Sequence, residues 1–537
     1  MKDRETEEAQ ADREQLLPGS QKRDRRMKAW VRARRRAFRR AFRRPLRLVA
    51  LAAKFVLLPL VVVVVAVVVF APSYSSPPEH YRLLERRCRD SGFAPGCANP
   101  HNETLFISSI LYDREGRLSG GLWGRRLLDL INLLGEDNVF LSIYESGSGA
   151  EGRAALARFK EKVPCRHHIV SEEAFTLAGI PNVTMPDGTS RTKRIAFLAE
   201  LRNRALRPLD RFDGLVRFDK VMFINDVSFR PLDAANLVLS TNRGADGKAR
   251  YLGACALDFA HPFAMYDNYA FRDADGYAQY VNLYPFFARR GRGLSRSDVF
   301  AQTDAVRVKA CWGGMMVVQG RYVQNPDREL PSPDFQTLAA HTVWPDRPKN
   351  VTAPVRFRYE PEPYYDACES CLFPADVATV ALREGAAETG VYVNPYVRTA
   401  YSEAILNWLP KAQRMERLIL PLFTFFAWFT PDDHQPYRLT QEGEPIQEEI
   451  WDGSRWTTVD RRARSAMFCG VREMQTLRRI QRSHGRNWWD TRHPPGQQLP
   501  FSSMWGKMLP GDWRRRYAAA SDEEKFNFFE FDRWGQS

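Results

Sequence analysis

The sequence predicts an α/β protein with a mainly parallel sheet, preceded by one N-terminal transmembrane helix. Three observations carry this reading. Short apolar segments with strand character alternate with amphipathic helical segments from about residue 102 onward. Two of those strands end on acidic residues, and a long uncharged apolar run follows a strongly basic tail. At 537 residues the chain holds one large core with appendages.

The chain begins with a basic cytosolic tail, 1–45, containing 16 Lys and Arg against seven Asp and Glu. That is +9 of the formal net charge of +15, so the remainder is only mildly basic for its size. Residues 46–71, "LRLVALAAKFVLLPLVVVVVAVVVFA", are long enough to span a bilayer, with Arg47 and Lys54 reaching back to the headgroups. The apolar run is too long, and "APSYSSPPEH" too poor a cleavage site, for a signal peptide. Positive charge on the N-terminal side sets a single-pass type II orientation, with everything after Ala71 lumenal. An Arg-rich tail tethered beside a membrane has poor access to nucleic acid, so no nucleic-acid partner is expected.

All eight cysteines lie beyond the anchor, as an oxidising compartment allows. So do the glycosylation sequons at Asn102, Asn182 and Asn350. Residues 72–101 read as a stem, starting with a Pro- and Ser-rich stretch. The catalytic domain is expected over 102–405. Within it "ETLFISSILYD", "NVFLSIYESGS", "HHIVS", "KVMFIND" and "YLGACALDF" read as strands. "GLWGRRLLDLINLLGED", stopped at Gly135, and "TKRIAFLAELRNRALRPLD", stopped near Pro208, read as helices. Residues 406–481 are expected to pack on that domain. "LILPLFTFFAWF" within them is too short for a second span. Residues 482–537 form an aromatic and basic extension, read as a cover over the catalytic body or an acceptor contact.

The stretch most suggestive of chemistry is "RFDKVMFINDVSFRPLD". Its apolar strand stops on Asn225 and Asp226, and the next apolar strand ends at Asp258. Acidic groups at strand C-termini face the crevice where open α/β sheets bind ligands. With Arg202 on the preceding basic helix, such carboxylates suit a divalent cation and a diphosphate. No nucleophile elbow, Walker loop or HExxH occurs. Cys368 and Cys371 form a lone CxxC, which favours disulfides over zinc.

Seven ordered motifs, "KVMFINDVSF", "GACALDF", "YDNYAFRDADGY", "VKACWGGMMVV", "FRYE", "CESCLFPADV" and "VNPYVRTAYS", resemble the fungal cryptococcal mannosyltransferase family, glycosyltransferase family 69. The resemblance implies a GT-A-like (Rossmann-like) fold, Golgi residence and transfer of mannose from GDP-mannose to a mannose-containing glycan, with Mn²⁺ or another divalent cation. It places Asp226 as metal ligand and Arg202, Asn203, Asn225 and Asp226 at the donor. The family's metal motif usually has two carboxylates, and Asn225-Asp226 has one; Asp219 is the other candidate carboxylate, set toward the far end of the strand. Asp258, Asp273 and Glu369 are the catalytic candidates. Asp267, Arg272 and Trp312 are the candidates for the sugar and acceptor, Trp312 reading equally as a stacking platform or a core residue. An α-1,3 linkage formed with retention implies a front-face transfer, or a double displacement through a carboxylate nucleophile. Another donor such as UDP-xylose, or an inactive lumenal scaffold, is the alternative.

Overall fold

Leu105–Leu111 (β1), Val139–Ser146 (β2) and Arg166–Glu172 (β3) pair in parallel, as their apolar runs predict. They belong to a computed structural model that describes residues 27–32, 34, 54–55, 57–172, 180, 182–185, 188–210, 217–278, 287, 291–324, 353–385, 390–419, 442–452, 455–471, 474–477 and 488–490. The chain divides into two units, 1–71 and 72–537. In the first, residues 57–70 are helical and expose Leu57, Leu58, Leu60 and Val61 to Val63. Among the described residues no helix is long and apolar enough to cross a membrane. The rest of the expected anchor, 46–53 and 56, lies outside them, as do Asn350, most of the basic tail and of "LILPLFTFFAWF", and all but 488–490 of the C-terminal extension.

In the second unit, Glu79–Asp90 (α1) opens the described helices. Leu122–Leu134 (α2) crosses from β1 to β2 and Gly149–Lys160 (α3) from β2 to β3. Gly135 ends α2 at φ +92°, where an added Cβ would lie 2.8 Å from Asn138 Nδ2. A hairpin, Asn182–Thr184 (β4) and Ser190–Thr192 (β5), precedes Arg194–Leu206 (α4). Lys220–Ile224 (β6) then pairs with β1 on the side away from β2, so strand order reverses there. The crevice outside the carboxyl ends of β1 and β6 is where such sheets bind ligands.

Pro231–Leu239 (α5) leads to Gly253–His261 (β7), which turns back as Ala264–Met265 (β8). Arg272–Asp273 (β9), Leu294–Phe300 (α6), Val306–Ala310 (β10) and Met315–Gln319 (β11) follow. After Asp366–Ala367 (β12) and Glu369–Arg383 (α7), Val391–Ala400 (β13) pairs in parallel with β7. The sheet order is β3-β2-β1-β6-β11-β7-β13-β10-β9. Thus β6 and β7 are not neighbours as sequence order suggests: β11 lies between them, antiparallel to both.

Strand alternation sorts two cores onto the two faces. Phe106, Val221, Phe223 and Met316 pack with Ile195 and Ala199 of α4 and Phe373 of α7. Leu105, Ile107, Met222 and Val317 pack with Leu127 and Leu130 of α2 and Leu237 of α5. Truncating a fully buried side chain such as Phe223 to Ala costs about 3–5 kcal/mol.

Residues 72–101 fasten to the body. Tyr81 donates to Asp304 Oδ2 at 3.1 Å and accepts from Asn394 Nδ2 at 2.6 Å. Beyond Glu403–Ala412 (α8), the hairpin Pro445–Trp451 (β14) and Trp456–Arg462 (β15) leads to Gly470–Val471 (β16), which pairs with β12. Arg464 joins this segment to Glu360 at 2.9 Å. Disulfides join Cys88 to Cys97, Cys255 to Cys311 and Cys371 to Cys469; Cys165 and Cys368 are buried thiols.

Candidate active site

The apolar run of β6 stops because the chain is pinned at Asn225. Its backbone N–H donates to Gly314 O at 2.9 Å, and its carbonyl accepts from Trp123 Nε1 at 3.0 Å. Val227 and Phe229 then turn back into the core, which leaves Asp226 exposed between half-buried Asn225 and buried Val227. The protein atoms packed around its carboxylate push its pKa above the ordinary value, and Arg202 pulls it back only in part. Asp219, at the opposite end of the strand, accepts from the Thr104 N–H at 2.7 Å and takes no part here.

Arg202 reaches this corner from α4. It donates to Glu369 Oε1 at 3.1 Å and to Asn225 Oδ1 at 3.3 Å. Its guanidinium lies 4.4 Å from the centre of the Trp312 ring. Trp312 is fully buried and packs on Phe223, so it supports Arg202 and offers no face to a sugar. Glu369, the first residue of α7, also accepts from Ser370 Oγ at 3.0 Å.

Asp258 lies within the C-terminal half of β7, which runs on to His261 instead of ending at Asp258 as its apolar pattern suggests. Its Oδ1 accepts from the Asp267 N–H at 3.1 Å and its Oδ2 from Tyr401 Oη at 3.3 Å. Burial first, and then the charge of Asp267, push its pKa up to about 8. Burial and the charge of Glu369 push Asp267 up to about 6, while Arg202 pulls it down. The two carboxyls titrate as a pair that holds one proton near neutrality. Tyr401 and Tyr266 stand beside them with ring centres 4.3 Å apart, and both are substantially exposed.

Paired glycines hold the floor of the corner. Gly313 and Gly314 have φ of +60° and +70°. A Cβ on Gly313 would lie 1.8 Å from Ala256 O, so only glycine lets the β10–β11 turn press against β7.

The structure therefore gathers Arg202, Asn225, Asp226, Asp258, Asp267, Glu369 and Trp312. It does not bring the other three predicted residues to them. Asn203 clasps the Phe357 backbone through both its amide groups, at 2.8 and 2.9 Å. Arg272 is enclosed by carbonyls, including those of Phe271, Phe468 and Cys469. Asp273 Oδ1 caps a turn by accepting from the Asp275 and Tyr277 N–H groups. Tyr266, Tyr401 and Trp123 were not singled out in the sequence; Tyr401 follows an apolar strand, as any core aromatic can. Of the CxxC pair, Cys371 is bonded to Cys469 and Cys368 is a thiol.

The carboxylate oxygens fit a hard cation, with Asp226 the accessible one. Among the described residues no three His, Cys, Asp or Glu converge on one ion position. Such a cation would take one or two protein carboxylates and fill its shell with phosphate oxygens and water.

The sequence model of the family described as cryptococcal mannosyltransferase 1 matches residues 104–376, just over half the chain. The chain belongs to this family. It is a glycosyltransferase of the mannosyltransferase type, and the matched region contains every residue of the cluster except Tyr401. Among solved structures, the enzyme is similar to a mannosyltransferase from Pyrobaculum calidifontis in complex with GDP-Man and Mn²⁺, at 11% identity and a TM-score of 0.27, covering 64% of this chain and 72% of that one. It is also similar to mannosyl-3-phosphoglycerate synthase from Rubrobacter xylanophilus, at 14% identity and a TM-score of 0.24, covering 72% and 95%. Both likenesses are too distant to carry over a ligand or a residue's role. No curated protein matches.

Proposed function

We propose that the enzyme transfers mannose from GDP-mannose to a mannoside acceptor, forming an α-1,3 linkage with retention. The observation that carries this is the meeting of Arg202, Asp226 and the Asp258–Asp267 pair toward the carboxyl ends of β6 and β7. Asp226 would hold a divalent cation, Mn²⁺ or an equivalent, which supplies positive charge to the donor diphosphate. Arg202 supplies fixed positive charge from the protein side, held in place by Glu369 and Trp312. In a front-face transfer the bond from C1 to the diphosphate oxygen breaks as the acceptor oxygen bonds to C1 on the same side. Asp267, ionised above about pH 6, takes the acceptor hydroxyl's proton. Asp258 stays protonated to about pH 8 and keeps the neighbouring charge low.

The same reading places the enzyme in the Golgi membrane, anchored by 46–71 with residues 72–537 lumenal. Three disulfides and the exposed sequon residues Asn102 and Asn182 support an oxidising, glycosylating compartment. The test records GDP release by the full chain with GDP-mannose, Mn²⁺ and mannobiose, for wild type and Asp226→Ala. Acceptor-stimulated release that is lost in the variant supports the proposal. Turnover of UDP-xylose instead assigns another donor, and no turnover of any nucleotide sugar by folded protein points to a scaffold.

A further inference from the structure

On the α2–α5 face the structure has a cavity of about 980 Å³ between α1, α2, α5 and α8. We propose that it is an oligosaccharide-binding groove that holds the non-reacting sugars of the acceptor. This rests on the transferase reading above.

Four observations carry it. The walls mix Arg82, Arg126, Arg230, Arg398 and Arg414 with Glu85, Asp129 and Asp233. Arg126 is paired at 2.7 and 2.8 Å with Glu403, and Arg230 lies 3.9 Å from Asp233. Guanidinium groups held by carboxylates suit a neutral ligand whose hydroxyls both donate and accept. Second, Phe93 lies on the wall and is 46% exposed, in a loop closed by the Cys88–Cys97 disulfide. An exposed ring on a fixed loop is a stacking surface for the apolar face of a sugar.

Third, Asn236 lines the cavity although it is only 7% exposed, and its Oδ1 has no hydrogen-bond partner among the described residues. That oxygen is covered by its neighbours in this structure, so a shift of the wall side chains on binding brings it to a sugar hydroxyl, a donor for an acceptor whose burial otherwise costs stability. Fourth, the groove adjoins the reacting centre. Trp123 holds Asn225, next to Asp226, and Arg126 lies three residues further along α2, a rise of about 4.5 Å. The partner of Arg126, Glu403, follows two residues after Tyr401, whose hydroxyl donates to Asp258. A volume near 980 Å³ is at the upper end of ligand cavities and holds several sugar rings.

The test uses the full chain in detergent, without donor, and titrates mannotetraose, cellotetraose and xylotetraose into wild type, Phe93→Ala and Asp129→Asn. Wild type is expected to bind one tetraose, and each variant to bind it about three- to tenfold more weakly. With GDP-mannose present, KM for mannotetraose rises by a similar factor relative to that for methyl mannoside. Two variants at exposed positions guard against a folding defect in either, and unchanged melting curves verify this. Failure of every tetraose to bind, or equal binding by wild type and both variants, overturns the groove. GDP-mannose turnover without tetraose binding sinks the groove alone. Binding of a glucan or xylan tetraose without GDP-mannose turnover keeps the groove and sinks the mannosyl reading.

Discussion

The Arg202 guanidinium lies over the Trp312 ring, 4.4 Å from its centre, while its Nε donates to the buried Glu369. One side chain thus ties α4, the end of β6 and the start of α7 into a single corner. Arg202→Ala leaves Glu369 buried without its cation, so stability should fall by about 3 kcal/mol, read as a shift in urea midpoint. Arg202→Lys keeps the charge but not the planar fork that stacks and bonds together. It should fold and lose about tenfold in kcat/KM for the donor; near wild-type turnover would show that charge alone suffices.

Much of this corner was legible in local pattern. The helical spacing and Gly135 gave α2, and the apolar run stopping at Asn225 gave β6 and the place of Asp226. What was not legible depends on partners distant in sequence. Met315–Gln319 is almost wholly buried, so nothing in its pattern shows that it enters the sheet antiparallel between β6 and β7. Arg272 and Asn203 have residue types suited to binding ligands. Their side chains are instead taken up by carbonyls near 468 and by the backbone of residue 357, a pairing that no local spacing encodes.

The Gly313 turn gives a second prediction. Gly313→Ala puts a methyl group 1.8 Å from Ala256 O at a φ of +60°. The backbone of β7 must move, and with it Asp258. A loss on the order of 3 kcal/mol is expected by urea denaturation, together with lost donor turnover.

The Cys371–Cys469 disulfide closes a separation of 98 residues and fixes the first turn of α7, where Glu369 sits. Replacing both cysteines with Ser should cost about 4 kcal/mol on loop-entropy grounds. The measurement compares urea midpoints of wild type and the double variant without reductant. Equal midpoints would show that the charged contacts around Arg464 hold this segment by themselves.

The carboxyl pair sets the pH dependence. Proton removal from the acceptor needs Asp267 ionised, so activity should rise with pH through about 6. Asp258 loses its proton near 8, which places a second negative charge against the first, so activity should fall above that. The rate profile is a bell whose limbs belong to the pair, and Asp258→Asn should remove the alkaline limb and leave the acid one. Stability follows the same protons. Unfolded, each carboxyl titrates near the ordinary value of about 4, so between about pH 4 and pH 8 the folded state holds more protons than the unfolded. The contribution of the pair is therefore complete below about pH 4 and is lost as pH rises to about 8. Urea midpoints of wild type measured across that range, minus those of Asp258→Asn, should decline with pH. A difference that stays flat would mean that Asp258 is ionised throughout, and the proton would have to be placed elsewhere in the corner.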